Sequence, residues 1–154
     1  DRFLAANPAR PDAALSRALL LARTAAPAAA AEAFAALDSA LAFSTEAAAL
    51  AYAQAATKAG EEARAKMLAG AASELAPARL ALVREAALDD AGAALAWREA
   101  LIAAPSAEGL AERYRAAMTR QGREEDAEAF LSAVARRSGA GAPDSLRDAE
   151  NADF

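Results

Sequence analysis

More than a third of this 154-residue chain is alanine, while Val, Ile and Thr supply only a handful of positions. Alanine loses no side-chain entropy in a helix, and β-branched residues are what strands favour, so the composition predicts an all-α fold along nearly the whole length. The same excess limits how the helices pack. A methyl group fills little volume, and alanine-faced helices exclude water only by approaching closely. Close stacking of several helices is therefore expected in preference to a roomy ligand cavity. The few large side chains, Phe34, Phe43, Tyr52, Met67, Trp97, Tyr114, Met118 and Phe130, are expected as keys between neighbouring helices.

A longer rhythm is laid over this background. An alanine is followed four residues later by a large apolar side chain at Ala30/Phe34, Ala63/Met67, Ala93/Trp97 and Ala127/Leu131, at intervals of 33, 30 and 34 residues. That spacing is the length of a two-helix repeat. Punctuation falls where such a repeat needs it. Pro8 and Pro11, with Asp12 as N-cap, precede a helix over Asp12–Ala22, and Pro27 opens a second over Ala28–Ala42. Ser44-Thr45-Glu46 caps Ala47–Lys58, and Gly60 separates it from Glu61–Leu75. Pro77 opens Ala78–Leu88, and Asp89-Asp90 caps the helix that runs through Trp97 to Ala104. Ser106 caps Leu110–Arg120, Gly122 closes it, and the last helix is Glu125–Arg137. These are eight helices in four hairpins, a repeat domain over residues 1–137. From Ser138 the texture changes: Gly139, Gly141 and Pro143 lead into a stretch with four carboxylates against the single Arg147. Residues 138–154 are expected to be a flexible acidic C-terminal tail or linker, the alternative being an acidic docking peptide with Leu146 and Phe154 as anchors.

Several function classes are excluded by residue type. The chain has no cysteine and no histidine, which removes Cys/His zinc sites, thiol nucleophiles and Ser-His-Asp chemistry. A net charge of -5 argues against nucleic acid and anionic lipid as general partners. No apolar run approaches the ~20 residues that span a bilayer, so no membrane insertion is expected. The pairs Glu61-Glu62 and Asp89-Asp90 and the run Glu124-Glu125-Asp126 all stand at predicted helix starts, where carboxylates favour the positive end of the dipole. Capping accounts for them without catalysis or a metal, and no cofactor is implied. The cations are nearly all arginine, a composition that fits GC-rich bacterial coding; cytoplasm and periplasm both remain open.

The residues that carry the repeat resemble the tetratricopeptide repeat. In Asp89-Asp90-Ala91-Gly92-Ala93-Ala94-Leu95-Ala96-Trp97-Arg98-Glu99-Ala100, followed by Pro105, the positions Ala93, Trp97, Ala100 and Pro105 match the family's second helix. Gly122-Arg123-Glu124-Glu125-Asp126-Ala127-Glu128-Ala129-Phe130-Leu131 resembles the usual entry to that helix, and Leu50-Ala51 and Leu80-Ala81 pair a large with a small residue in first helices. The sequence departs from the family at Ala47 and Pro77, where a large first-helix residue is usual, and at Gln54, Arg84 and Met118, where a tyrosine is usual. The alanine-rich helical arm of some periplasmic lytic transglycosylases is similar in texture.

The resemblance implies a right-handed α-α superhelix of about four helix-turn-helix units whose first helices line a concave groove. In the family's register Leu19, Arg23, Tyr52, Ala56, Leu82, Glu85, Glu112, Ala116 and Arg120 face that groove. Such a methyl-lined wall suits a peptide or helix of another protein, and the implied function is a non-catalytic interaction scaffold or adaptor. Two alternatives stand beside it: the helical arm of a larger, cell-envelope enzyme or assembly, and an up-down bundle that forms a homo-oligomer through its alanine faces.

Overall fold

The computed structural model describes residues 10–24 and 26–139, and its described residues are helices and turns with no strand. The residues divide into two compact units, Asp1–Asp89 and Asp90–Phe154, where the sequence predicts one repeat domain over 1–137. The predicted third hairpin is divided by that boundary, its first helix in one unit and its second in the other.

The first unit contains α1 (Pro11–Arg23), α2 (Pro27–Ala35), α3 (Ser39–Ala42), α4 (Glu46–Ala59), α5 (Glu61–Glu74) and α6 (Pro77–Ala86). Pro at the first position starts α1, α2 and α6, where its missing N–H is not needed. Asp12 therefore lies in the first turn of α1, paired with Arg10 at 3.0 Å, and is not the N-cap. Thr45 does cap α4, its Oγ1 accepting the Ala48 N–H at 3.1 Å. The helix predicted over Ala28–Ala42 is broken at Ala36–Asp38, where the Asp38 carbonyl accepts the N–H groups of Leu41 and Ala42. That break brings Phe43 onto the ring of Tyr52 at 5.4 Å; on the other side Phe34 stacks on Tyr52 at 5.0 Å with the planes 10° apart. Phe43 also leans on Gly70, where an added Cβ would meet its Cε2 at 3.2 Å, so a side chain at this place in α5 would displace the ring.

α4 is the centre of this unit and packs against α1, α2, α3, α5 and α6. It can do so because its buried residues are Ala48, Ala49, Ala53, Ala55 and Ala56 around the single large Tyr52. The end of α6 is tied to α5 by Arg64, whose Nε donates to the Ala87 carbonyl at 2.7 Å and so satisfies an acceptor that the helix leaves open.

The second unit contains α7 (Asp90–Ala103), α8 (Leu110–Thr119) and α9 (Glu124–Gly139). Gly109, in the left-handed region, precedes α8, so Ser106 does not serve as its cap. Gly122 ends α8 with φ 68°, and the Arg123 N–H reaches back to the Met118 carbonyl at 3.0 Å in a Schellman turn. α8 packs against both α7 and α9. Trp97 and Leu101 of α7, Tyr114 and Met118 of α8, and Ala127 and Leu131 of α9 are buried. Polar ties fix the same order: Arg120 Nε to Asp90 Oδ1 at 2.8 Å, Gln121 Nε2 to the Asp90 carbonyl at 3.2 Å, and Arg115 Nε to Glu128 Oε1 at 2.6 Å. The predicted tail lies, from residue 140 onward, outside the described residues.

Candidate functional site

The nine residues assigned to a groove by sequence do not share one surface. Leu19, half-buried, and Arg23, exposed, border a trough of about 250 Å³ with Pro27 and a face of α4. That face is Ala47, Ala51, Gln54, Ala55 and Lys58. Ala56 is 0% exposed and lies in the core, and Tyr52, its ring 5% exposed, borders a different trough of about 590 Å³ with Glu32, Glu61 and Lys66, so neither joins Leu19 and Arg23 on one wall. They stand one residue beyond Ala51 and Ala55, and one residue on a helix is a rotation of about 100°. Burial pushes the Tyr52 phenol above its ordinary pKa, as befits a core ring. Leu82 and Glu85 on α6 are half-buried and do not border this trough. Glu112, Ala116 and Arg120 belong to the second unit, and Arg120 is engaged with Asp90 at the start of α7.

A larger surface lies where the sequence reading placed none. α7 and α9 both rest on α8 and leave a cleft between them, with two lobes of about 500 and 490 Å³. Both lobes share Arg98 and Phe130. The Arg98 guanidinium lies over the Phe130 ring at 4.7 Å from its centroid, and Tyr114 meets that ring edge-on at 5.1 Å. One lobe is polar, with Gln121, Arg123 and Asp126 around Tyr114 and Met118. The other is apolar, with Leu101, Ile102 and Pro105 facing Ala133 and Val134, and Arg137 at its rim.

Two side chains mark this cleft as more than a packing seam. Leu95 and Ile102, seven residues apart and so on one face of α7, are 60% and 62% exposed. Arg98 sits between them on the same face and has no hydrogen bond or ion pair among the described residues. Stacking on Phe130 holds the guanidinium in place while leaving its five N–H donors unspent. Burial raises the Tyr114 pKa, with Arg98 and Arg123 pulling it down and Asp126 pushing it up, so the phenol is neutral at ordinary pH. Its hydroxyl has no hydrogen bond among the described residues and is not sealed from solvent, so it is available to a ligand in the polar lobe.

Arg98, Arg123 and Arg137 line the cleft with Asp126, and Arg123 is paired with Asp126 at 3.1 Å. A guanidinium with open donors beside a phenol and apolar walls is chemistry that suits a carboxylate set among apolar groups. A signal for this surface was present in the sequence. The alanine face of α7, Ala93, Ala96, Trp97 and Ala100, is buried, and large apolar residues at 95 and 102 fall outside it. Among the described residues no helix is long and apolar enough to cross a membrane. Comparison with protein families, curated proteins and solved structures finds no match for the chain.

Proposed function

We propose that this chain is a non-catalytic interaction scaffold of the helical-repeat kind, similar in plan to the tetratricopeptide repeat, that holds a helix of another protein in the cleft between α7 and α9. The observation that carries this reading is the triplet on α7: Leu95 and Ile102 held out in solvent with the unpaired Arg98 between them. Exposed large apolar side chains grouped around a cleft mark a contact surface in a way that scattered ones do not. The superhelical plan draws support from the first unit, where α4 packs on the hairpin before it and on the helices after it.

The chemistry specifies the partner. It is an amphipathic helix with two large apolar residues seven or eight positions apart and a carboxylate between them. Covering Leu95 and Ile102 contributes about 1–2 kcal/mol each, since both are already partly covered. Association costs at least about 4 kcal/mol, so a partner must also fill the cleft floor and reach Arg98 to bind in the micromolar range.

The test is selection from a displayed library of helical peptides. The reading expects binders with Asp or Glu between two apolar positions, weakened at least about tenfold by Ile102→Glu and by Arg98→Glu. The trough variant Lys58→Glu is expected to leave them unchanged. No binders above background, or binders indifferent to both cleft variants, would overturn the reading.

A further inference from the structure

The trough of about 590 Å³ that Tyr52 borders lies wholly within the first unit, between α2 and the start of α5. Its walls are largely methyl groups: Ala28, Ala31 and Ala35 on one face of α2, with Ala59 and Ala63 beside the turn at Gly60. What sets it apart from a packing seam is the Tyr52 hydroxyl. Phe34 and Phe43 cover the two faces of the ring, at 5.0 and 5.4 Å, and the residue is only 5% exposed. The hydroxyl has no hydrogen bond among the described residues and is not sealed from solvent, so it is the hydroxyl that reaches the trough. A polar group this deeply set normally has a partner, and here the space for one is the trough itself.

The charges around that hydroxyl select the partner's sign. Glu32 stands on α2, and Glu61, Glu62 and Lys66 stand on α5. Glu61 is the first residue of α5, where a carboxylate answers the positive helix end, and it lies 3.6 Å from the Arg64 guanidinium. Glu32, Glu62 and Lys66 have no hydrogen bond or ion pair among the described residues. Two open carboxylates against one ammonium leave a negative balance. A cation with N–H donors satisfies it, since the carboxylates and the phenol oxygen all accept. Among the described residues no group of three carboxylates converges as metal ligands do, so the cation that fits is organic. The α2 wall from Ala28 to Ala35 is apolar and about 10 Å long, room for a stem of about four or five carbons.

We propose that this trough binds an aliphatic ammonium, its charged end held by Glu32, Glu62 and the Tyr52 hydroxyl and its stem lying on the alanine walls. The site is independent of the α7–α9 cleft and of the function read from it. Such an ammonium belongs either to a free alkylamine or to a lysine side chain of another protein. Exposed ion pairs each contribute a factor of less than about five, so the dissociation constant is expected at about 1–10 mM.

The probe is pentylamine, titrated into the full chain at pH ~7, where an alkylammonium is fully charged, with sodium chloride at matched ionic strength as control. Saturable changes in amide chemical shift are expected at Glu32, Gly60, Glu62 and Ala63. Glu32→Gln and Glu62→Gln should each weaken binding about two- to fivefold, and Lys66→Gln should tighten it by a similar factor. Tyr52→Phe keeps the packed ring and should weaken binding about tenfold, the scale of one hydrogen bond to a charged group. A mere patch of surface charge would not respond to that variant. Nα-acetyl-lysinamide forms the second arm: binding at least as tight as pentylamine assigns the trough to a lysine side chain, and weaker binding assigns it to a free amine. Shift changes reproduced by sodium chloride or sodium pentanoate, weaker binding in Lys66→Gln, or a Tyr52→Phe variant equal to the parent would refute the proposal. So would a titration that shows no saturation by ~100 mM amine.

Discussion

Tyr52 separates a core role from a groove role by a wide margin. Its ring is 5% exposed between Phe34 at 5.0 Å and Phe43 at 5.4 Å, in the helix against which all the others of the first unit pack. An aromatic side chain buries about 150–250 Å², and at about 25 cal/mol per Å² that is about 4–6 kcal/mol before allowing for a compact unfolded chain. The allowance lowers it to about 3–5 kcal/mol, the range seen when large aromatics are truncated to alanine. Tyr52→Ala is thus expected to cost about 4 kcal/mol, a large share of the ~5–15 kcal/mol that holds a domain folded. In urea denaturation followed by circular dichroism, the midpoint should fall with little change in slope, and the melting temperature should drop by about 8–16 °C. Tyr52→Phe keeps the ring and removes a hydroxyl that has no hydrogen bond among the described residues, so it should stay within about 0.5 kcal/mol of the parent. A Tyr52→Ala variant within 1 kcal/mol of the parent (roughly the scale of an exposed site) would refute the core assignment and return Tyr52 to a surface.

Leu88 holds φ at 60° in a Schellman turn after α6, with the Asp89 N–H bonded to the Arg84 carbonyl, and it is 75% exposed. The left-handed conformation costs a non-glycine residue about 1–2 kcal/mol and glycine brings about 0.5–1 kcal/mol of unfolded-state entropy, so Leu88→Gly should stabilise by about 0.5–1 kcal/mol in the urea midpoint. Gly122 ends α8 in the same kind of turn with open space around its Cα, so Gly122→Ala should destabilise by about 1 kcal/mol from backbone strain alone, read the same way. Both tyrosines have raised pKa values, so the folded state favours their neutral form. Their contribution is complete below the unfolded value near 10 and is lost as pH rises through the folded values; tyrosinate absorbance should appear only above pH ~10, together with loss of helical signal. Ile102→Glu should leave thermal stability within about 0.5 kcal/mol, because its side chain is already in solvent, and loss of folding in this variant would show that Ile102 supports the core.

Helix punctuation was legible wherever one residue type decides it. Pro27 and Pro77 start helices, Thr45 caps α4, and Gly122 ends α8, each through its own backbone or side-chain chemistry. The break at Ala36–Asp38 was not legible, since Ala36-Leu37-Asp38 contains neither proline nor glycine. It coincides with the stacking of Phe43 on Tyr52 of the next helix, a tertiary contact that helix punctuation does not encode. Caps at Asp12 and Ser106 failed because Pro11 and Gly109 set the helix starts instead. The groove register failed for a compositional reason. α4 has alanine on its buried, half-buried and exposed sides alike, so the pattern barely distinguishes the face of Ala51 and Ala55 from that of Tyr52 and Ala56. Gln54 and Lys58, four residues apart, were the polar stripe that fixes it. On α7 the exposed Leu95 and Ile102 were in plain view but were masked by an expectation that apolar residues serve the core.

Mapping a selected helical peptide by amide chemical-shift changes on the full chain tests the central claim most directly. The account predicts that the changes cluster on Leu95, Arg98, Ile102, Phe130 and Val134 in the cleft between α7 and α9. A cluster on Leu19, Arg23, Gln54 and Lys58 in the first unit, with the cleft unperturbed, would contradict it.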